Sequence, residues 1–251
     1  MNGPAATSPR SGHDPTQMRL QGIDGRVAMI TGARGGIGRR VVETLDALGA
    51  RTVGCDLAGD AIPGSLAIDM DVTDIDSVDS AFRRTEAELG PVELLVTCAG
   101  VFREVPLDRL PTEEWHRTLD VNLTGTFLCV RRALDGMRAA RVGRIITLSS
   151  GAGLDGGAEA CSHYAASKGG VIAFTKGVAN EYAMYGITAN IVTPRAIRTS
   201  MIAGMEDALT ELIPIGRLGE PDDVAAAVAF LCSSHASFTT GEVHVLNGGW
   251  W

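Results

Sequence analysis

From Gly25 onward, short apolar runs alternate with longer stretches of helical period. The runs Val27–Thr31, Arg51–Cys55, Ser65–Met70, Leu94–Thr97, Arg144–Ser149, Thr188–Thr193 and Glu242–Leu246 are strand candidates. Between them, Gly38–Leu48, Ser77–Leu89, Trp115–Arg138, Tyr164–Tyr185 and Asp222–Leu231 have helical periodicity. Capping sequences, Asp74-Ile-Asp-Ser and Glu220-Pro-Asp-Asp, precede two of them. Strand–helix alternation of this kind predicts an α/β fold: a parallel sheet with helices on both faces. In Trp115–Arg138, the spacing of Leu119, Asn122, Leu123, Thr126, Phe127 and Val130 predicts a core-facing stripe. No linker or repeat divides residues 21–251, which read as a single domain behind a Pro-, Gly- and Ser-rich tail, residues 1–20, expected to be disordered.

Composition narrows the function. The 251 residues carry 22 basic and 30 acidic side chains, a net charge of −8 that disfavours nucleic acid as a partner. At 45% hydrophobic the chain can build a core, yet no apolar window is long enough to predict a membrane span. Five cysteines without a CxxC pair argue against a disulfide framework or a metal site. The expected setting is a reducing, cytoplasmic one.

The segment Thr31-Gly-Ala-Arg-Gly-Gly-Ile-Gly38 joins the first strand to the first helix. Its residues Gly32, Arg34, Gly36, Ile37 and Gly38 could bring backbone amides and a helix N-terminus against a pyrophosphate. Asp56, at the end of the second strand, could accept hydrogen bonds from a ribose diol and repel a 2′-phosphate, favouring NAD(H) over NADP(H). Arg34 pulls the other way, since a guanidinium pairs well with phosphate, so NADP(H) stays possible. Asp71 and Val72 could meet the adenine, with a helix cap as the alternative for Asp71. Ala99 and Gly100 are small enough to leave room for a ribose.

Tyr164-Ala-Ala-Ser-Lys168 places a phenol and an ammonium four residues apart on one helix face. A nearby ammonium and a positively charged nicotinamide would both lower the phenol pKa, making Tyr164 an acid/base. Ser150, on the preceding strand end, could hold a substrate oxygen against it.

With TGARGGIG, Asp56, the Asp-Val-Thr segment, Val121-Asn-Leu-Thr-Gly125, the serine pair, YAASK, Ile191-Val-Thr-Pro194 and Asn247-Gly-Gly249 in this order, the chain resembles the short-chain dehydrogenase/reductase family over residues 21–251. The resemblance implies a Rossmann-type, doubly wound parallel sheet of seven strands, usually in a homotetramer or homodimer, and reversible alcohol–ketone oxidoreduction of a small molecule. It also implies Ser150 on the substrate oxygen, Tyr164 as acid/base, Lys168 on the ribose, and Asn122 anchoring a water that links Lys168 to solvent. Pro194, Ile197 and Thr199 would complete the cofactor set, the last two facing the carboxamide. Enoyl reductases of this fold place Lys further from Tyr. A non-enzymatic dinucleotide-binding scaffold or redox sensor is the alternative.

Three departures stand out. Thr97-Cys98 replaces an Asn-Asn pair whose amides support the central strand, and Arg195 replaces a glycine. The Ser150–Tyr164 interval is one residue longer than in simple ketoreductases, in a loop with Glu159, Cys161 and His163. Arg195 either turns to solvent or an acidic neighbour, or lies along the cleft rim as an anion clamp. His163 reads as a solvent-facing loop histidine or a substrate-polarising group. The apolar segment between Pro194 and Pro214 suits a partly hydrophobic substrate lid.

Overall fold

In a computed structural model, residues 20–59 and 66–250 are described. Seven parallel strands form one sheet: β1 (Val27–Thr31), β2 (Arg51–Asp56), β3 (Leu66–Asp69), β4 (Leu94–Thr97), β5 (Gly143–Leu148), β6 (Ile187–Pro194) and β7 (Val243–Leu246). Their spatial order is β3-β2-β1-β4-β5-β6-β7, so the chain reverses its direction of travel between β1 and β4. Such a reversal opens a crevice at the carboxyl ends of the strands. The doubly wound sheet expected from the sequence is therefore present. The expectations for residues 1–19, and for Ser65 at the start of the third strand, lie outside the described residues.

Two apolar layers hold the helices. One packs α2 (Ile75–Glu88), α4 (Gly125–Ala140) and α6 (Ser162–Tyr182) through Phe82, Cys129, Met137 and Val178. The other packs α1 (Gly36–Ala47) and α8 (Pro221–Cys232) through Val41, Leu45, Val224 and Val228. The caps fall where the sequence put them. Asp74 accepts the Asp76 N–H at 2.9 Å, and Glu220 with Asp223 forms a capping box ahead of α8. Four cysteines are buried and all five are free; burial pushes the thiols of Cys98, Cys129 and Cys232 up to about 12, so they act as small hydrophobes.

The long helix departs from expectation. It runs as α3 (Thr112–Leu119), a π turn over Asp120–Thr124, and then α4. A π turn inserts one extra residue and so rotates every later side chain around the axis. Asn122, Thr126 and Val130 stay buried, whereas Phe127 emerges on the exposed side, edge-on to Phe174 at 6.1 Å. The predicted stripe is correct only in part for that reason.

Candidate active site

The crevice at the β1/β4 reversal holds a cleft of about 620 Å³. Gly32, Arg34, Gly36, Ile37, Gly38, Asp56, Asp71, Val72, Ala99, Gly100 and Thr199, all named above as candidate cofactor residues, line it together. The glycines are spatially required. Gly32 has φ +65°, and a Cβ there would lie 2.6 Å from the Ala99 nitrogen; a Cβ on Gly38 would lie 2.1 Å from the Gly32 carbonyl oxygen. Helix α1 begins at Gly36 without a side-chain cap and without an acidic residue in its first turn. Its leading N–H groups are thus available to an anion, and this cradle fits a dinucleotide pyrophosphate.

At the outer end, Asp56 Oδ2 accepts the Arg34 backbone N–H and Oδ1 accepts the Leu57 N–H, both at 2.8 Å. These bonds fix the carboxylate at the cleft wall. The Arg34 guanidinium lies over the same strand end, donating to the carbonyls of Leu57 and Gly59 and pairing with Asp69 at 3.4 Å. Its charge is thereby partly answered inside the chain. Asp71 does not cap the helix; that falls to Asp74. Its Oδ1 instead accepts from the Thr73 N–H at 2.9 Å and hydroxyl at 2.7 Å, a turn that carries Val72 against the cleft.

The floor bears out the first departure. The Thr97 hydroxyl is buried without a hydrogen-bond partner among the described residues. The Thr31 hydroxyl, by contrast, accepts the Ala99 N–H at 3.2 Å.

A second, smaller cleft of about 100 Å³ adjoins the first and contains Ser150, Tyr164, Lys168, Pro194, Arg195, Ile197 and Thr199. Strand β5 ends just before Ser150, and the second turn of α6 brings Lys168 under Tyr164. The Ser150 hydroxyl accepts the Ala152 N–H at 3.3 Å and lines this cleft together with the Tyr164 phenol. Lys168 is buried, donates to the Leu148 carbonyl at 2.9 Å, and stands 5.8 Å from the Tyr164 ring centroid. Asn122 is fully buried behind it: Oδ1 accepts the Val101 N–H at 2.8 Å, while Nδ2 donates to the Val101 carbonyl and Ser167 hydroxyl. A Cβ at Gly100 would lie 3.2 Å from Asn122 Oδ1 and 3.4 Å from Lys168 Nζ, so Gly100 is the spacer between strand end and ammonium.

Electrostatics correct one expectation. Among the chain's own groups the Tyr164 phenol is pushed up, not down: burial raises it, the neighbouring Ser150 hydroxyl opposes this, and Cys161 adds to the rise. Lys168 does not offset this because burial pushes its own ammonium down to about 8. His163 is a second correction. It is fully buried in the first turn of α6, both ring nitrogens without a hydrogen-bond partner among the described residues. The helix starts earlier than its apolar pattern suggests, which draws His163 out of the loop.

Two features escaped the sequence. Phe102 packs edge-on to the Tyr164 ring at 4.9 Å, and Trp250 stacks on the Arg195 guanidinium at 4.5 Å. Neither residue belongs to a periodic or motif pattern that could have announced it. Arg195 also pairs with Asp155, so it has an acidic neighbour and lines the cleft at once. Among the described residues no cluster could hold a metal, and no helix is long and apolar enough to cross a membrane.

Comparison with known proteins accords with this arrangement. The model of a family described as Enoyl-(Acyl carrier protein) reductase matches residues 32–251. The 3-oxoacyl-(acyl-carrier-protein) reductase of Escherichia coli K12 is 39% identical over 240 residues, covering 90% of this chain and 98% of that protein. The enzyme of the same name from Aquifex aeolicus is 35% identical over 243 residues, with the same coverage. The crystal structure of gox2181 superposes with a TM-score of 0.87 at 34% identity, covering 90% of this chain and 96% of that one. With its fold, its ordered motifs and these relatives in agreement, the chain belongs to the short-chain dehydrogenase/reductase family of oxidoreductases.

Proposed function

We propose that this protein interconverts a ketone and a secondary alcohol with a nicotinamide dinucleotide, NAD(H) in preference to NADP(H), using Tyr164 as the proton donor and acceptor. The observation that carries this reading is the gathering of Ser150, Tyr164 and buried Lys168 in one small cleft that adjoins the inner end of the glycine-lined cleft. The bound nicotinamide would supply or take up the hydride. Ser150 would hold the carbonyl oxygen, and Tyr164 would donate its proton to that oxygen as the alkoxide forms. A phenol raised by burial is protonated at neutral pH, which suits the reducing direction. Lys168 and Asp56 would hold the two riboses, Asp71 and Val72 the adenine, and Pro194, Ile197 and Thr199 the nicotinamide side. Asn122 would keep the helix turn and Lys168 in register.

NAD(H) is favoured because Asp56 presents a fixed carboxylate to the cleft, while Asp69 already pairs with Arg34. The names of the relatives make a 3-oxoacyl group one candidate ketone. Tyr164 and Lys168 one helical turn apart support carbonyl reduction over the enoyl reduction in the family description. The scaffold or sensor alternative leaves the assembled Ser150, Tyr164, Lys168 and Asn122 without a purpose. A homotetramer or homodimer is the proposed assembly, supported by the half-exposed edge strand β7 and by Phe127 on the α4 surface. The test is hydride transfer from NADH and from NADPH to a ketone panel, followed at the reduced-nicotinamide absorbance band. NADH oxidation that depends on the ketone is expected; none with any ketone overturns the reading.

A further inference from the structure

The backbone places Arg195 beside the proposed chemistry. Strand β6 ends at Pro194, whose carbonyl accepts the Gly151 N–H at 3.0 Å, so Arg195 emerges next to the residue that follows Ser150. Its side chain then runs across Gly151: a Cβ there would lie 2.6 Å from Arg195 Cγ and 2.8 Å from Nε. Only a glycine allows this passage. The guanidinium ends between two holders, with Trp250 on its face at 4.5 Å and Asp155 at Nη2. Only 16% of the side chain is exposed.

A guanidinium has five donors in a planar fork. Asp155 engages one end and Trp250 covers a face, but Nε and Nη1 form no hydrogen bond among the described residues. These donors belong to a residue that lines the same small cleft as Ser150 and Tyr164. The Trp250 stack and the Asp155 pair immobilise the fork before any ligand arrives, which reduces the ordering cost of binding. Burial lowers the pKa of the guanidinium, as expected for a cation whose lost hydration is incompletely replaced.

We infer that Arg195 is a specificity-determining subsite for substrates carrying a second oxygen acceptor near the reacting ketone, a carboxylate or an acyl oxygen. Consecutive Cα atoms are about 3.8 Å apart, so a short 3-oxo compound can reach from Ser150 to a side chain lying over Gly151. Asp155, 42% exposed, competes for the same fork and weakens the subsite. The inference rests on the proposed ketone reduction for the position of the reacting carbonyl, and its test reads binding separately from turnover.

Acetoacetate, its N-acetylcysteamine thioester and 2-pentanone are titrated calorimetrically into the protein, with and without NAD⁺, so that no hydride transfer occurs. Acetoacetate is expected to bind more tightly than 2-pentanone, and Arg195→Met to weaken it at least ~10-fold, as for loss of a charge-assisted hydrogen bond, while leaving 2-pentanone unchanged. Arg195→Lys should recover part of the affinity, and Asp155→Asn should tighten acetoacetate by removing its rival. A thioester that follows acetoacetate through the variants marks an acyl-oxygen subsite, and one that follows 2-pentanone marks a carboxylate subsite. Should Arg195→Met misfold, the Lys and Asn variants still decide. No acetoacetate binding, or equal losses for acetoacetate and 2-pentanone, overturns the inference. Arg195-dependent binding without hydride transfer to any ketone leaves the subsite standing and removes the ketone-reductase reading instead.

Discussion

Lys168 donates its ammonium to the Leu148 carbonyl at 2.9 Å and faces the Tyr164 ring from 5.8 Å, so its charge is anchored on the strand end and not on the phenol oxygen. That position is costly. Burial takes the ammonium from its ordinary 10.5 down to about 8, and a group held below its unfolded pKa destabilises the fold wherever the unfolded chain keeps the proton. The cost is full below pH ~8 and fades as pH rises toward ~10.5, reaching about 3 kcal/mol at neutral pH. Lys168→Met is therefore expected to be more stable than the parent in urea unfolding at pH 7, with a smaller gain at pH 10, while turnover collapses. An equal difference at both pH values would show that the ammonium is not the source of the strain.

Tyr164→Phe removes one oxygen from the site and leaves Asp56, Lys168 and the glycine cradle in place. Steady-state kinetics should show at least a ~10²-fold fall in kcat, and NADH titration a nearly unchanged Kd. In the parent, alcohol oxidation needs the phenolate. Because burial raises the phenol, the oxidation rate should climb with pH through the neutral and alkaline range, while ketone reduction stays flat until the phenol ionises. Retention of more than about a tenth of the parental rate by Tyr164→Phe would dismiss this tyrosine as the proton carrier.

The sheet was legible because its strands are covered on both faces: Val27–Thr31 is apolar at all but its last position and buried throughout. The glycine loop, Asp56, Ser150, Tyr164 and Lys168 were legible because each lies at a strand end or on one helix face, where spacing fixes direction. Phe127 was misread because periodicity assumes an unbroken helix, and the π turn at Asp120–Thr124 shifts the phase. His163 was misread because a helix start with no side-chain cap gives no boundary signal. The direction of the Tyr164 shift depends on desolvation by groups distant in sequence, and so does the meeting of Arg195 with Trp250 and Asp155.

Asp56→Ala tests the cofactor choice. The parent carboxylate, fixed by the N–H groups of Arg34 and Leu57, should accept a ribose diol and repel a 2′-phosphate. Fluorescence titration is expected to give tighter NADH than NADPH binding in the parent and a narrower gap in Asp56→Ala. Tighter NADPH binding in the parent would mean that Arg34 outweighs its partner Asp69 and dominates the rim.

Asn122 is the point where the fold and the proposed chemistry depend on the same side chain. It sits in the π turn, and the Thr126 hydroxyl bonds back to its carbonyl at 2.8 Å. Its amide closes both polar groups of Val101, the segment following β4, and reaches the Ser167 hydroxyl on α6 at 2.9 Å. One side chain therefore ties three elements together immediately behind Lys168. Asn122→Ala would leave the Val101 N–H, the Val101 carbonyl and the Ser167 hydroxyl each short of a partner. A stranded buried polar group costs about 1–3 kcal/mol, and Ser167 keeps its bond to the Tyr164 carbonyl, so the expected loss in urea unfolding is about 3 kcal/mol in all. The slack should also reach Lys168 through Gly100, raising the KM for the dinucleotide together with a fall in kcat. If Asn122→Ala unfolds like the parent but loses activity, the amide acts on the reaction alone; if it is less stable but fully active, Asn122 belongs to the scaffold and has no part in placing the lysine.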